Sequence, residues 1–119
     1  MRDHSELTLR KQSDFSRVYK QGKSKGGRFA VILYRRNGLR YTRTAFVSSK
    51  KVGKSVERNR SRRLMRAAYK ALEPGVKSGY DIIFVARAAS IGCKEHEVER
   101  QLRKSLESAG ILTGNSNEK

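Results

Sequence analysis

The sequence predicts an α+β fold in which three helices are interspersed with β-strands in one domain. Three segments carry apolar residues at helical spacing, three others are β-rich runs, and turn residues separate them. A length of 119 residues with 36% hydrophobic residues suits a single modest core. We therefore expect one domain over residues 1–112, followed by a disordered tail over residues 113–119.

The first predicted element is a helix that begins at Ser13 and ends near Gly22. Ser13 is a suitable N-cap, and Asp14 lies at the positive end of the helix dipole. Gly22 is a residue type that commonly ends helices. One face of this helix carries apolar residues at a spacing that also suits core packing: Phe15, Val18 and Tyr19.

A β-hairpin is predicted next. Residues 29–34 (FAVILY) form a β-rich run, Asn37-Gly38 is a strong hairpin-turn signal, and a second run covers residues 41–48. The second run alternates between two sets of residues, so it suits a strand with two unlike faces. We expect the two runs to pair with each other across the turn.

The most basic segment is predicted to be a helix that starts near Lys54 or Ser55 and ends before Pro74-Gly75. Its apolar residues fall on one arc of a helical projection, which we expect to face the core: Val56, Leu64, Ala67, Ala68, Ala71 and Leu72. Its polar residues fall on the opposite arc: Arg58, Asn59, Arg62, Arg63, Arg66 and Lys70. Arg60 lies within the apolar arc, so we expect it to project past the end of the core. Ser61 lies outside the strict apolar arc and is expected to have little structural consequence.

The C-terminal part is predicted to supply a central strand and a final helix. Residues 80–86 (YDIIFVA) form an apolar run typical of a strand that is buried on both faces. A helix from Cys93 to Ala109 directs four apolar residues inward: Val98, Leu102, Leu106 and Ala109. The same helix holds four of the 11 acidic residues, so we expect it to face away from any polyanion.

Positive charge is concentrated in the N-terminal two-thirds of the chain. The formal net charge is +17, and residues 8–70 hold 20 of the 28 lysines and arginines but only two acids, Asp14 and Glu57. Residues 58–66 alone contain five arginines. Guanidinium groups bind phosphate and stack on bases, so this concentration indicates a nucleic-acid ligand rather than a basic surface kept for solubility.

Other classes of protein are disfavoured by the residue types present. The single cysteine, Cys93, cannot form an internal disulfide, and neither it nor His4 or His96 has partners at metal-ligand spacing. A protein-only nuclease needs several carboxylates around its metal ions, whereas the basic region offers two. The sequence lacks the apolar run of a signal peptide or membrane span, so we expect a soluble, cytoplasmic protein in a reducing compartment.

Three sequence blocks resemble the protein subunit of bacterial ribonuclease P. They are SDFSRVYKQGKS in the first helix, SSKKVGKSVERNRSRRLMRAAY in the middle and YDIIFVAR in the last strand. The resemblance covers about residues 7–107. Its most specific part is the RNR helix entered through S-K-K-V-G, and the order of the three blocks adds further specificity.

The resemblance implies a fold and a division of labour. The fold is a two-layer α/β sandwich with about four strands in a mixed sheet and three helices, in the order α-β-β-β-α-β-α. Its RNR helix occupies a left-handed β-α-β crossover, although such connections are otherwise right-handed. The protein is expected to form a 1:1 complex with a catalytic RNA and to bind the 5′ leader of precursor tRNA. It assists removal of that leader, a phosphodiester hydrolysis expected in the RNA with divalent metal (Mg²⁺).

The resemblance also implies two sets of RNA-contacting residues. The set expected to bind the catalytic RNA is Lys50, Lys51, Lys54, Arg58, Asn59, Arg60, Arg62, Arg63 and Arg66. The set expected to bind the 5′ leader, in a cleft between the first helix and the sheet, is Phe15, Val18, Tyr19, Lys20 and Arg87. Neither a catalytic residue nor a cofactor bound by the protein alone is implied. Four residues depart from the family pattern: Ala30, Ala45, Ser61 and Ala88. The alternative function is a non-catalytic RNA-binding module, such as a ribosomal protein or RNA chaperone.

Overall fold

The computed structural model describes residues 8–112, which contain three α-helices and a four-stranded sheet. The helices are α1 (Gln12–Gln21), α2 (Ser55–Leu72) and α3 (Glu95–Ser108). The strands are β1 (Lys23–Lys25), β2 (Ala30–Arg36), β3 (Arg43–Val47) and β4 (Tyr80–Ala86). Short 3-10 turns cover Glu73–Gly75 and Ala88–Ser90. The predicted tail at 113–119 lies outside the described residues.

The sheet is mixed, with the order β1-β2-β4-β3. The most apolar strand, β4, is central as predicted, because it pairs antiparallel with β2 and parallel with β3. Helix α2 connects the parallel pair, so it occupies the β-α-β crossover. The expected α+β fold is thus confirmed, while the left hand of the crossover stays a prediction.

The predicted hairpin between residues 29–34 and 41–48 is wrong. Strand β4 lies between β2 and β3, and the partner of β2 on its other side is the short strand β1. The Asn37-Gly38 turn does reverse the chain, with Gly38 at φ +74°. However, Asn37 donates its backbone N–H to the Gly79 carbonyl and its side-chain amide to Asp81. These bonds attach the turn to the start of β4. The turn therefore spans the width of one strand, and β4 occupies the space between β2 and β3.

The hydrophobic core is divided between the two faces of the sheet. The larger cluster lies under α2 and α3 and contains Ile32, Ile82, Phe84, Met65 and Leu102, all fully buried. The smaller cluster lies under α1 on the other face and is built from four buried residues: Leu9, Val18, Ala45 and Ile83. Alternate residues of β4 therefore enter different clusters, as the pleat of a strand requires.

Helix α1 has its N-cap two residues earlier than predicted. Its N-cap is Lys11, without a side-chain capping bond, so the assignment of Ser13 as N-cap is wrong. Gly22 does follow the last helical residue, at φ −82°, which any residue can adopt. A Cβ there would lie 2.5 Å from the Val18 carbonyl oxygen and 2.7 Å from that of Tyr34. Gly22 is therefore needed for the close approach of α1 to β2.

Helix α2 has the predicted bounds, but its buried face is rotated from the predicted arc. Its buried residues are Ser61, Met65, Ala68, Tyr69 and Leu72. Val56 is 76% exposed and Ala71 is also exposed, so their predicted burial is wrong. Ser61 is only 2% exposed, which contradicts its expected location outside the core face. Its hydroxyl donates to the Arg58 carbonyl at 2.9 Å and lies 2.9 Å from the Ser48 hydroxyl. This serine seats the helix against the end of β3.

Helix α3 packs as predicted, with Val98, Leu102 and Leu106 fully buried. It begins at Glu95 rather than Cys93. The side chain of Gln101 accepts the backbone N–H groups of Phe29 and Ala30, each at 2.9 Å, and so holds the start of β2. The chain then returns to the core at two buried residues beyond the helix, Ile111 and Leu112. Within the described residues, no helix combines the length and apolarity that crossing a membrane requires.

Candidate RNA interface

The loop before α2 presents three exposed lysines: Lys50, Lys51 and Lys54. The loop is anchored by Val52, which is buried in the larger core cluster. Gly53 has φ +147°, and a Cβ there would lie 2.3 Å from a carboxylate oxygen of Glu57. That carboxylate accepts the Lys54 backbone N–H at 2.7 Å, which satisfies an otherwise free donor at the helix N-terminus. The glycine and the glutamate together set the angle at which the loop enters α2.

Within residues 8–112, no acidic side chain forms an ion pair with the basic side chains of α2. Two of them bond within the helix region: Arg58 donates to the Gly53 carbonyl at 3.0 Å, and Arg62 donates to the Asn59 side chain. The others are exposed, including Arg60, which does project outward as predicted: Arg60, Arg63, Arg66 and Lys70. Among residues 8–112, the ion pairs involve only Arg17, Arg43 and Arg103 as cations. We call the exposed surface formed by Asn59, Arg58, Arg60, Arg62 and Arg63 the basic face.

Both acids of the basic region are used inside the protein. Glu57 caps α2, and Asp14 is 7% exposed at the start of α1. Asp14 pairs with Arg43 at 3.3 Å and with Arg17 at 3.5 Å. Two carboxylates offset little of the charge of the 20 lysines and arginines in residues 8–70, so this region remains strongly positive.

A buried ion-pair network, which the sequence did not reveal, joins α1 to the sheet. The Arg43 guanidinium makes a bidentate pair with Asp81, at 2.8 and 2.7 Å, and also reaches Asp14. The hydrogen bond with Asp81 raises the pKa of Arg43, although burial acts in the opposite direction. Asn37 donates a further bond to Asp81 at 2.9 Å. All three elements that surround this point, α1, β3 and β4, are thereby held together.

The predicted leader-binding residues of α1 have three different environments. Val18 is 1% exposed and lies in the smaller core cluster, where it can only support the surface from behind. Phe15 is half-buried against the same cluster. Tyr19 is 53% exposed and Lys20 is also exposed. Phe15 and Tyr19 are therefore the aromatic rings of α1 that can meet a ligand.

A groove with a volume of about 560 Å³ runs beside the outer edge of β3, where the Leu9 backbone N–H donates to the Thr44 carbonyl. Phe15 lies in its wall, together with Ala45 and Val47 of β3. The last turns of α2 form the other side, which is lined by Arg66, Tyr69, Lys70 and Glu73. We call this cavity the edge groove. The family pattern separates Arg66 from Phe15 into two RNA-binding sets, whereas the structure places both in one groove.

The remaining leader-binding residues lie outside the edge groove. Tyr19 and Lys20 are absent from its lining, as is Arg87. Arg87 is exposed after β4 and donates to the Gly27 carbonyl at 3.1 Å. Of the departures from the family pattern, Ala45 lines the groove, whereas Ala30 is fully buried in the larger cluster. Ala88 is exposed in a 3-10 turn.

The His, Cys, Asp and Glu side chains of residues 8–112 do not form a metal-binding cluster. Across residues 8–112, no group of three or more His, Cys, Asp or Glu side chains could hold a metal ion. The thiol of Cys93 donates to the Ser90 carbonyl at 3.0 Å, and burial raises its pKa.

Comparison with known proteins identifies a single family. A family model described as Ribonuclease P matches residues 4–110. The ribonuclease P protein component of Thermoanaerobacter sp. (strain X514) is 38% identical over 109 residues, which cover 92% of this chain and 94% of that protein. The same component of Alkaliphilus oremlandii is 40% identical over 104 residues, which cover 87% and 91% of the two chains.

Solved structures show the same likeness. The RNase P protein of Staphylococcus aureus is similar with a TM-score of 0.79 at 28% identity, covering 89% of this chain and 97% of that one. The RNase P protein of Thermotoga maritima is similar with a TM-score of 0.77 at 28% identity, covering 85% and 96%. This chain is therefore similar to these proteins in sequence and in fold, over most of its own length and of theirs.

Proposed function

This chain belongs to the ribonuclease P protein family, and on that premise we propose that it holds the 5′ leader of precursor tRNA while attached to the catalytic RNA. The family membership makes it the protein component of an endoribonuclease ribonucleoprotein that works with ribonuclease P RNA. This reading is favoured over a ribosomal protein or RNA chaperone.

The observation that carries the proposal is the uncompensated charge of the basic face. Its arginines lack acidic partners among the described residues, and Glu57, the acid of α2, accepts the Lys54 backbone N–H. A folded RNA is met chiefly through phosphates and 2′-hydroxyls, and each neutralised phosphate releases condensed counterions. We therefore assign the basic face, with Lys50, Lys51 and Lys54, to ribonuclease P RNA.

The aromatic side chains of α1 support a different contact. Unpaired bases stack on aromatic rings, and each stack contributes about 1–3 kcal/mol. Phe15 lines the edge groove and Tyr19 is exposed one turn further along the same helix. We assign these two residues to the unpaired 5′ leader, with Lys20 close enough in sequence to approach its phosphates. Arg87 is kept as a more distant RNA contact.

Catalysis is assigned to the RNA component. Two-metal phosphodiester hydrolysis requires converging carboxylates, and the described residues contain no such group. Among the described residues no group of side chains could hold a metal ion by itself, so we place the divalent ions of the reaction on the RNA. What this chain supplies is positive charge, which lowers the repulsion between two RNAs, and a groove that orients the leader. A 1:1 complex provides one such groove for each RNA.

Reconstitution tests this proposal. The purified chain is mixed with ribonuclease P RNA and precursor tRNA at limiting Mg²⁺, and 5′ maturation is measured with and without the protein. We expect the protein to accelerate cleavage and to show no cleavage when the RNA is omitted. The proposal fails if maturation is not accelerated, and the assignment of catalysis fails if the protein alone cleaves in nuclease-free controls.

A variant tests the leader assignment separately. Phe15→Ala is expected to weaken binding of leader-bearing precursor tRNA to the assembled complex about 5- to 100-fold, from the loss of one stack. Binding of mature tRNA, which has no leader, is the control and should change little. Equal losses for the two RNAs would contradict the role of Phe15.

A further inference from the structure

The edge groove contains two cations that the family pattern does not associate with the leader. Arg66 and Lys70 lie one helical turn apart at the end of α2, and both line the groove that holds Phe15. Arg10, in the segment that runs beside β3, lines it as well. The groove therefore combines aromatic side chains with three cations and one acid, Glu73, so its lining has an excess of positive charge.

Arg66 is held in a position suited to an unpaired nucleotide. Its guanidinium lies over the Phe46 ring, 5.4 Å from the ring centroid. Phe46 in turn stacks on Phe84 at 5.0 Å and contacts Tyr69 at 6.1 Å, so the support beneath the guanidinium is rigid. Among residues 8–112, Arg66 makes no hydrogen bond or ion pair, which leaves its N–H groups available to phosphate. Its outer face is available to a base, because Arg stacks on bases as well as on aromatic side chains.

The shape of the site favours a single strand over folded RNA. The groove is a concave space between a strand edge and a helix, with a volume of about 560 Å³. One or two unpaired nucleotides can enter such a space, whereas an RNA double helix presents a broad surface of phosphates and 2′-hydroxyls. The groove is also partly apolar, since Phe15, Ala45 and Val47 line it, which suits base faces.

Arg63 provides the internal comparison. It lies one turn before Arg66 on the same helix and is equally exposed, but it does not line the edge groove. Sequence position alone would give the two arginines the same role. Their surroundings differ, because only Arg66 is supported by an aromatic ring of the groove.

We propose that Arg66 and Lys70 bind the single-stranded leader in the edge groove, together with Phe15, instead of docking the catalytic RNA. This inference rests on the proposed function, since it names further residues of the same leader site. Helix α2 is then divided by role. Its first three turns face the catalytic RNA, and its last two turns face the substrate.

The test compares Arg66→Ala with Arg63→Ala in the complex assembled with ribonuclease P RNA. Protein is added in excess, so that both variants are fully bound to the RNA. Affinities are then measured for precursor tRNA with a leader and for mature tRNA. We expect Arg66→Ala to lower the preference for the leader-bearing RNA about 5- to 50-fold, and Lys70→Ala to lower it about 2- to 5-fold. Arg63→Ala should leave that preference unchanged.

A conservative variant, Arg66→Lys, and thermal unfolding distinguish loss of the leader contact from loss of folding. Arg66→Lys keeps the charge but loses the planar stack, so it should recover the phosphate part of the effect and not the rest. Both variants are checked by thermal unfolding. The inference is overturned if folded Arg66→Ala keeps the full preference for the leader, or if Arg63→Ala loses as much of it. If Phe15→Ala also keeps the full preference, the leader site of the proposed function fails as well.

Discussion

The basic face of α2 and the edge groove, the two surfaces that we propose to bind RNA, differ in composition and in how they are built. The basic face lies on one helix and consists of Asn59 and four arginines, which form no ion pair with an acid among the described residues. The edge groove is concave, draws on residues 8–10, α1, β3 and α2, and places charge beside aromatic and apolar groups. The basic face should keep its shape when contacts between α1 and the sheet change, because it lies on one helix. The edge groove should not, because its shape depends on how α1, β3 and α2 pack against each other.

The largest expected loss of unfolding free energy follows from removing Arg43, whose ion pairs join α1 to β3 and β4 beside the edge groove. Arg43→Met leaves the buried carboxylates of Asp81 and Asp14 without their cation, and losing one partner of a buried pair costs about 3–5 kcal/mol of unfolding free energy. Denaturant titration measures this loss. Arg17→Met is the matched control, because it removes the exposed partner of Asp14 and should cost less than about 1 kcal/mol. Similar losses in the two variants would show that the network does not hold α1 to the sheet.

Gly22→Ala is expected to cause the second-largest loss of stability. The added Cβ meets two backbone carbonyl oxygens, so α1 must shift away from β2, at a cost of about 1–3 kcal/mol. Because Phe15 moves with α1, the preference for leader-bearing tRNA should fall while affinity for ribonuclease P RNA stays. Gly26→Ala, where a Cβ would meet nothing within 4 Å, is the control. An unaltered leader preference in folded Gly22→Ala would separate the groove from the position of α1.

Ser61→Ala probes the seat of α2 and should have the smallest effect. It removes the contacts with Ser48 and the Arg58 carbonyl, for a loss of about 1 kcal/mol in thermal or chemical unfolding. Ser13→Ala is the control, because Ser13 makes no capping bond in α1 and its loss should cost little. A loss at Ser13 as large as at Ser61 would restore Ser13 as the N-cap of α1.

The basic face could be predicted from the sequence because its signal is local. Five arginines within residues 58–66 fall on a helix whose bounds follow from Lys54 and from Pro74-Gly75. The three blocks that indicated the family were equally local, and the α+β fold followed from them. The buried arc was less accurate, because a projection cannot show that the hydroxyl of Ser61 finds a partner on Ser48.

The edge groove could not be predicted because its parts are distant in sequence. The strand order was misjudged at the Asn37-Gly38 turn, where the signal for a tight hairpin was overridden by bonds to Gly79 and Asp81. An alternating strand pattern also gave no sign that Arg43 pairs with two buried acids. The one local signal was a charge, Arg43, on the strand face that also carries Ala45 and Val47.

The most direct test of the central claim measures two properties of the same variants. The first is the salt dependence of binding to ribonuclease P RNA, and the second is the preference for leader-bearing over mature tRNA. The double variant Arg62→Ala with Arg63→Ala should reduce the slope of log affinity against log salt by about 2 and keep the leader preference. Phe15→Ala should keep the slope and lose the preference. If each variant changes both properties to the same extent, the two surfaces do not have separate roles.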